Sequence, residues 1–221
     1  RRLRRNYSTN YNLPNRSDYA ILINSGDLNI PNFVMKILTP DADLHIIGGV
    51  AGEKRPVRLF EEDLLHGVLL GYIKDYDRLN GELDRFLPFV DSWAVTDMMS
   101  FGAFKKNKER LIEDTLKRLS SESLYTVRFA ICTLMKYFLD ADFKSEYLYL
   151  VSDLRSEQYY VNMMRAWYFA EALAKQYDSA IRIIERGTLD LWTHNKVISK
   201  ATESRKISEE TKRYLRTVKI K

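Results

Sequence analysis

Trp93 and Asp97 stand four residues apart in the run Ser92-Trp93-Ala94-Val95-Thr96-Asp97-Met98-Met99. On a helix this spacing puts both side chains on one face, one turn apart. An indole face attracts cations through its quadrupole, and a carboxylate stabilises positive charge that develops beside it. Together they suit a reaction that passes through a carbocation-like species. The competing reading is structural: a tryptophan at helical spacing is commonly core, and an aspartate is commonly solvated or salt-bridged.

Other chemistries find little support. Cys132 is the sole cysteine and lies in the apolar run Phe129-Ala130-Ile131-Cys132-Thr133-Leu134, so it reads as a small buried hydrophobe rather than a nucleophile. No disulfide can form within the chain, which agrees with a reducing cytosol. His45, His66 and His194 are scattered, without the Cys, His or carboxylate spacing of a metal site, and no metal is expected. Gly48-Gly49 and Gly52, followed by Pro56, mark a loop but not a phosphate-binding glycine motif.

The elements that must position Trp93 and Asp97 read as helices. Apolar residues recur at three- and four-residue steps from Glu61 almost to the end. The pattern predicts helices at Glu61–Lys74, Leu79–Leu87, Ser92–Met99, Phe104–Leu119, Leu124–Leu139, Lys144–Leu154, Tyr159–Gln176, Asp178–Arg186, Trp192–Ser204 and Ser208–Thr217. Asp91 or Ser92 is placed to cap the helix carrying Trp93, and Ser208 to cap the last one. His194 and Asn195 read as cap residues rather than catalytic ones. Pro88 sits where the preceding helix should stop. No run shows the alternation of a strand, so the fold class is all-α. Residues 1–60 lack the periodicity and are expected to be partly irregular. They open with the basic cluster Arg1-Arg2-Leu3-Arg4-Arg5.

A repeat is visible among these helices. Leu124-Tyr125-Thr126-Val127-Arg128, Tyr159-Tyr160-Val161-Asn162-Met163 and Trp192-Thr193-His194-Asn195-Lys196 each open an apolar helix. Their spacing, about a third of a hundred residues, signals stacked helix pairs, an α-α superhelix or solenoid with a concave face. Residues 61–221 are expected to form this repeat domain, within a single overall domain.

Charge is unevenly distributed over the 221 residues. Residues 1–58 hold 9 basic and 5 acidic groups, residues 59–160 hold 13 and 18, and residues 161–221 hold 13 and 7. Basic ends suggest a phosphate-bearing partner. No stretch approaches the ~20 apolar residues that cross a bilayer, and no apolar leader is evident. A cytoplasmic protein without membrane contact is expected.

From Leu65 to Lys219 the chain resembles the AlkD-type DNA alkylation repair glycosylases, built of HEAT-like helical repeats. The resemblance rests on Leu65-His66-Gly67, Phe89-Val90-Asp91-Ser92-Trp93-Ala94-Val95-Thr96-Asp97, Tyr125-Thr126-Val127-Arg128-Phe129-Ala130, Tyr159-Tyr160-Val161-Asn162-Met163 through Ala166-Trp167, and Thr193-His194-Asn195-Lys196. It covers roughly two thirds of the chain, by the order and spacing of these stretches. Residues 1–60 match the family poorly.

The resemblance implies a site of Trp93, Asp97 and Trp167, with Arg128 early on a following repeat helix. It implies hydrolysis of the N-glycosidic bond of positively charged N3- and N7-alkylated purines, such as 3-methyladenine and 7-methylguanine, in double-stranded DNA. That is base excision repair without metal or organic cofactor, by a monomer associated with the nucleoid. In this scheme Asp97 stabilises the oxocarbenium-like sugar and activates water, while Trp93 and Trp167 flank it. Arg128 holds a phosphate, and Lys105, Lys106, Lys196 and Lys200 are candidate phosphate contacts, with Lys108, Arg165, Arg205 and Lys206 further options. Two readings stay open beside it: a HEAT-repeat module that binds DNA without excision, and a protein-binding scaffold. Arg128 could instead pair with a buried carboxylate, and the Lys105–Lys108 run could be a solvated face.

Overall fold

The computed structural model describes residues 60–220, apart from the side chains of Glu61 and Glu62. The chain divides into two units, Arg1–Val57 and Arg58–Lys221, and the description below concerns the second. The features read from residues 1–59, including the basic cluster and the glycine loop, lie outside the described residues.

The described residues are all-helical, with eleven α-helices, one 3-10 turn and no strand. In chain order the α-helices are α1 (Phe60–Leu70), α2 (Tyr76–Phe86), α3 (Trp93–Met98), α4 (Gly102–Lys106), α5 (Lys108–Leu119), α6 (Leu124–Tyr137), α7 (Glu146–Asp153), α8 (Tyr159–Lys175), α9 (Tyr177–Glu185), α10 (Leu191–Glu203) and α11 (Glu209–Thr217). The 3-10 turn, Leu87–Phe89, follows α2 and carries Pro88 at its start. No helix among the described residues is long and apolar enough to cross a membrane.

Helix starts follow the capping residues. Asp75, Ser92, Asp190 and Ser208 each accept a hydrogen bond from a backbone N–H in the first turn of the helix they precede. Ser92, not Asp91, caps α3. Asp190 caps α10, so His194 and Asn195 are not its caps. His194 is buried with Nε2 2.9 Å from the Val218 carbonyl, and Asn195 exchanges hydrogen bonds with the Ile220 backbone. The last turn of α9 closes on Gly187 at φ +61°, whose N–H reaches the Ile184 carbonyl at 3.1 Å, a left-handed C-terminal cap.

One expected helix is two. The run Phe104–Leu119 breaks at Asn107, whose backbone leaves the helical region at φ −130° and ψ 46°. Its side-chain amide instead donates to the Ala103 carbonyl at 2.8 Å, satisfying the end of α4. Lys108, first in α5, bonds the Tyr137 carbonyl and Asp142, and it also faces the Phe138 ring.

Helices α6 and α8 are apolar nearly all round, the pattern of a helix enclosed by others. Helix α6 packs against α3 and α5 and against α8, and α8 packs in turn against α10. Cys132 is buried in α6, where loss of hydration pushes its thiol up in pKa. Phe101, Phe104, Phe129 and Tyr137 join α4 to α6 as an aromatic cluster. Within it the Phe101 N–H donates to the buried Tyr137 hydroxyl at 2.6 Å.

Helix α3 is short and depends on its neighbours, since one and a half turns hold little intrinsic stability. A Cβ at Gly67 would lie 3.2 Å from Met99 Cγ and 3.8 Å from Val95 Cγ1, so the missing side chain permits the close approach of α1 and α3. Val95 and Thr96 are buried beneath it. That leaves Trp93 exposed, while Asp97 turns towards α6.

Candidate functional site

Trp93 opens α3 and is 49% exposed, too open for a core residue. Asp97 lies one turn on. Its carboxylate is fixed by α6: Arg128 Nε donates to Oδ1 at 2.9 Å and Nη2 to Oδ2 at 2.6 Å. The pair is enclosed, with side chains 4% and 13% exposed for Arg128 and Asp97. The third guanidinium nitrogen, Nη1, donates to the Tyr160 carbonyl of α8 at 2.6 Å. Arg128 therefore ties three helices together, and its charge is directed at Asp97 within the fold. This is the carboxylate partner that the sequence left open as an alternative to a phosphate contact.

The C-terminal end of α3 is clamped by a second cation that the sequence reading did not single out. Lys136, two turns beyond Arg128 on α6, donates to the Asp97 and Met99 carbonyls at 2.6 and 2.7 Å. A carboxylate at a helix C-terminus is opposed by the helix dipole. Arg128 and Lys136 offset this, one at the side chain and one at the free carbonyls. The Thr96 hydroxyl also reaches Asp97 Oδ1 at 3.3 Å, while bonding the Trp93 carbonyl at 2.9 Å. Each carboxylate oxygen has two lone-pair sites, so capacity to accept remains after the Arg128 bonds.

Trp167 is half-buried on α8. It lies two turns from Tyr160, on the same face of the helix. Among the described residues, no hydrogen bond or ring contact joins Trp167 to Asp97. Half-buried and exposed aromatic rings mark the starts of the inner helices. Tyr125 of α6 and Tyr160 of α8 have centroids 6.0 Å apart, and Tyr159 meets Trp192 of α10 edge to face at 5.5 Å.

Four basic candidates fall into two groups. Lys196 and Lys200 are half-buried on α10, one turn apart, and form no ion pair among the described residues. Burial lowers the pKa of Lys200, and the charges of Lys196 and Arg128 lower it further, while Glu203 and Asp97 oppose them. The electrostatic environment of Lys200 thus includes both members of the Asp97–Arg128 pair. Lys105 and Lys106 are exposed at the end of α4. Helix α4 packs on α2 and α5, and no interaction links these lysines to Asp97 among the described residues.

Three further options for phosphate contact are occupied elsewhere. Arg165 is fully buried, donating to the Val151 and Ser152 carbonyls, Asn162 and Asp190, so it cannot serve as a surface phosphate contact. Sequence reasoning took it for a free cation because its partners lie in other helices and loops. Lys108 is held by Tyr137 and Asp142, and Lys206 pairs with Glu171 at 2.7 Å.

The arrangement can hold an anion rigidly beside an open indole, with Lys196 and Lys200, which form no ion pair among the described residues, on α10. No family model, curated protein or solved structure matches this chain.

Proposed function

We propose that the protein is a DNA glycosylase that hydrolyses the N-glycosidic bond of cationic N3- and N7-alkylated purines in duplex DNA. The observation that carries the reading is the Arg128-held carboxylate of Asp97 one turn from the half-exposed Trp93. A cationic purine is already a good leaving group, so little protonation is required of the protein. What the reaction needs is charge stabilisation at the sugar and a placed water. Asp97 supplies the anion and, through its remaining lone pairs, a site for the water. Trp93 and Trp167 flank the cationic nucleotide, and Lys196 and Lys200 meet phosphates.

The same reading includes a superhelix of HEAT-like repeats. Side-chain bonds that recur at one-repeat separations support it. Arg118 Nη2 reaches Asp84 at 2.6 Å, Arg128 reaches Asp97, Lys175 reaches Asp140 at 2.7 Å and Lys206 reaches Glu171 at 2.7 Å, spans of 34, 31, 35 and 35 residues. Each spans about the length of one such repeat, as nearest-neighbour stacking of repeats would produce. A monomer acting on cytoplasmic, nucleoid-associated DNA without a cofactor completes the proposal.

One observation favours a second reading, a repeat protein that binds DNA without excision. Both oxygens of Asp97 bond to Arg128, and a neutralised carboxylate stabilises a neighbouring cation less than a free one. Release of free base from alkylated duplex DNA, with Asp97→Asn as the control, separates the two.

A further inference from the structure

The aromatic residues that open α6, α8 and α10 recur at one-repeat spacing and have no part in the proposed excision. They form a continuous ladder. Tyr125 lies 6.0 Å from Tyr160, Tyr160 lies 5.2 Å from Tyr159, and Tyr159 lies 5.5 Å from Trp192, centroid to centroid. Tyr159, Tyr160 and Trp192 are exposed, Tyr159 at 55%. Rings this open add little to the core, and a run of them marks a surface that gains by covering. Tyr159 meets Tyr160 at 80° and Trp192 at 64°. Each edge-to-face contact covers at most one face of one ring, so open faces remain along the ladder. The ladder is also braced. Arg128 holds the Tyr160 carbonyl at 2.6 Å, and Arg155, before α8, donates to the Ser152 and Thr188 carbonyls at 2.5 and 3.3 Å. A surface set in advance loses less freedom on binding.

We infer that this ladder binds single-stranded nucleic acid, with unpaired bases stacked on its open ring faces. Every base has a π-face, so such stacking tolerates any sequence. In a duplex those faces are already covered by neighbouring pairs, and the ladder therefore takes unpaired strands. The charge beside the rings fits a polyanion. Lys196 follows Trp192 by one turn of α10, on the same side, and forms no ion pair among the described residues. Asp190, the acid just before α10, is already bound to Arg165 at 2.7 Å. Residues 161–221 carry 13 basic and 7 acidic groups. A neutral proline-rich segment would use the rings and leave this cation without a role, whereas a nucleic-acid strand uses both. This surface goes beyond the duplex reading and needs no base excision.

The test is fluorescence anisotropy with the full chain and short labelled strands of oligothymidylate and oligouridylate, which hold no alkylated base. Binding of either supports the inference, and the tighter one tells whether the natural strand is DNA or RNA. Trp192→Ala and Tyr159→Ala should each weaken binding by about tenfold, in the range for loss of one base–aromatic stack. Trp192→Phe keeps a ring and should stay within about threefold of the parent. Tyr177→Ala, which removes an exposed tyrosine at the start of α9 outside the ladder, should bind as the parent does. A base-free sugar-phosphate strand of equal length and charge should bind at least about tenfold more weakly. No binding of either oligonucleotide, equal binding of the base-free strand, or unchanged affinity in folded Trp192→Ala and Tyr159→Ala would each overturn the inference. So would a proline-rich peptide that binds the rings when both oligonucleotides fail, which would assign the ladder to a polyproline partner. Base release bears on Asp97 alone, so either reading can fail while the other stands.

Discussion

Asp97 and Arg128 meet through two parallel hydrogen bonds of 2.9 and 2.6 Å, across 31 residues of sequence and inside an almost closed contact between α3 and α6. Arg128 Nη1 continues the chain to the Tyr160 carbonyl. A bidentate guanidinium fixes both position and plane of a carboxylate, which a lysine cannot do. The pair has an architectural role whatever its chemistry, and this shapes how its variants must be interpreted.

Removing Arg128 leaves an enclosed carboxylate without its counter-charge. Arg128→Ala should therefore cost about 3–5 kcal/mol of stability, the range for breaking a buried pair from one side. Asp97→Asn keeps one carbonyl acceptor but leaves the enclosed guanidinium without its counter-charge and sets an amide N–H against one of its donors, so a loss in the same range of about 3–5 kcal/mol is expected. Urea denaturation of the two variants and the parent measures both. Equal, negligible losses would mean that the pair does not hold α3 in place.

Lys136 should matter to α3 more than its position on an apolar helix suggests. Lys136→Met removes the donor to two carbonyls at the end of a six-residue helix. A loss of about 2 kcal/mol is expected, in the range for charged hydrogen bonds. Amide exchange should quicken in residues 93–99 before it does in α6 or α8. Uniform acceleration throughout the chain would contradict a local clamp.

How far the sequence reveals such features depends on the range of the interaction. Caps, periodicity and proline act within a few residues, and they locate α6, α8, α10 and the Ser92 cap closely. The break at Asn107 is also local, but it depends on a side chain choosing the Ala103 carbonyl over solvent, which the apolar spacing of residues 104–119 conceals. The roles of Arg165 and Lys136 are set by partners on other elements. Arg165 reads in sequence as a candidate phosphate contact and Lys136 is not singled out, yet both turn inward. Trp93 and Asp97 are legible as a pair because one helical turn relates them. The identity of the cation facing Asp97 required the packing of α3 on α6.

Asp190 gives a pH signature. Burial would raise its carboxyl pKa, but the Thr193 backbone N–H and the Arg165 guanidinium outweigh it and hold the pKa below the usual range. A carboxylate depressed in the folded state stabilises the fold above its unfolded pKa of about 3.9, and the contribution is lost as pH falls through the folded value. Asp190→Asn should lower stability at neutral pH and flatten the loss on acidification below about pH 4. Unfolding curves from pH 7 to pH 2 test this. An unchanged acid limb would mean that the Arg165–Asp190 pair, at 2.7 Å, is energetically silent.

Lys196 tests the proposed nucleic-acid face apart from any chemistry. Each phosphate contact on duplex DNA contributes about 0.9 to the slope of log affinity against log salt. Lys196→Gln should reduce that slope by about 1 and weaken binding irrespective of sequence. A retained slope would move the DNA path off α10.

The central claim is that Asp97 stabilises the sugar cation formed as an alkylated purine leaves. The direct measurement is single-turnover release of free base from duplex DNA carrying 7-methylguanine, comparing the parent with Asp97→Asn under conditions where both are folded and DNA-bound. The account predicts release by the parent and a fall of about two orders of magnitude or more in the variant. No release by the parent, or equal release by Asp97→Asn, would contradict it.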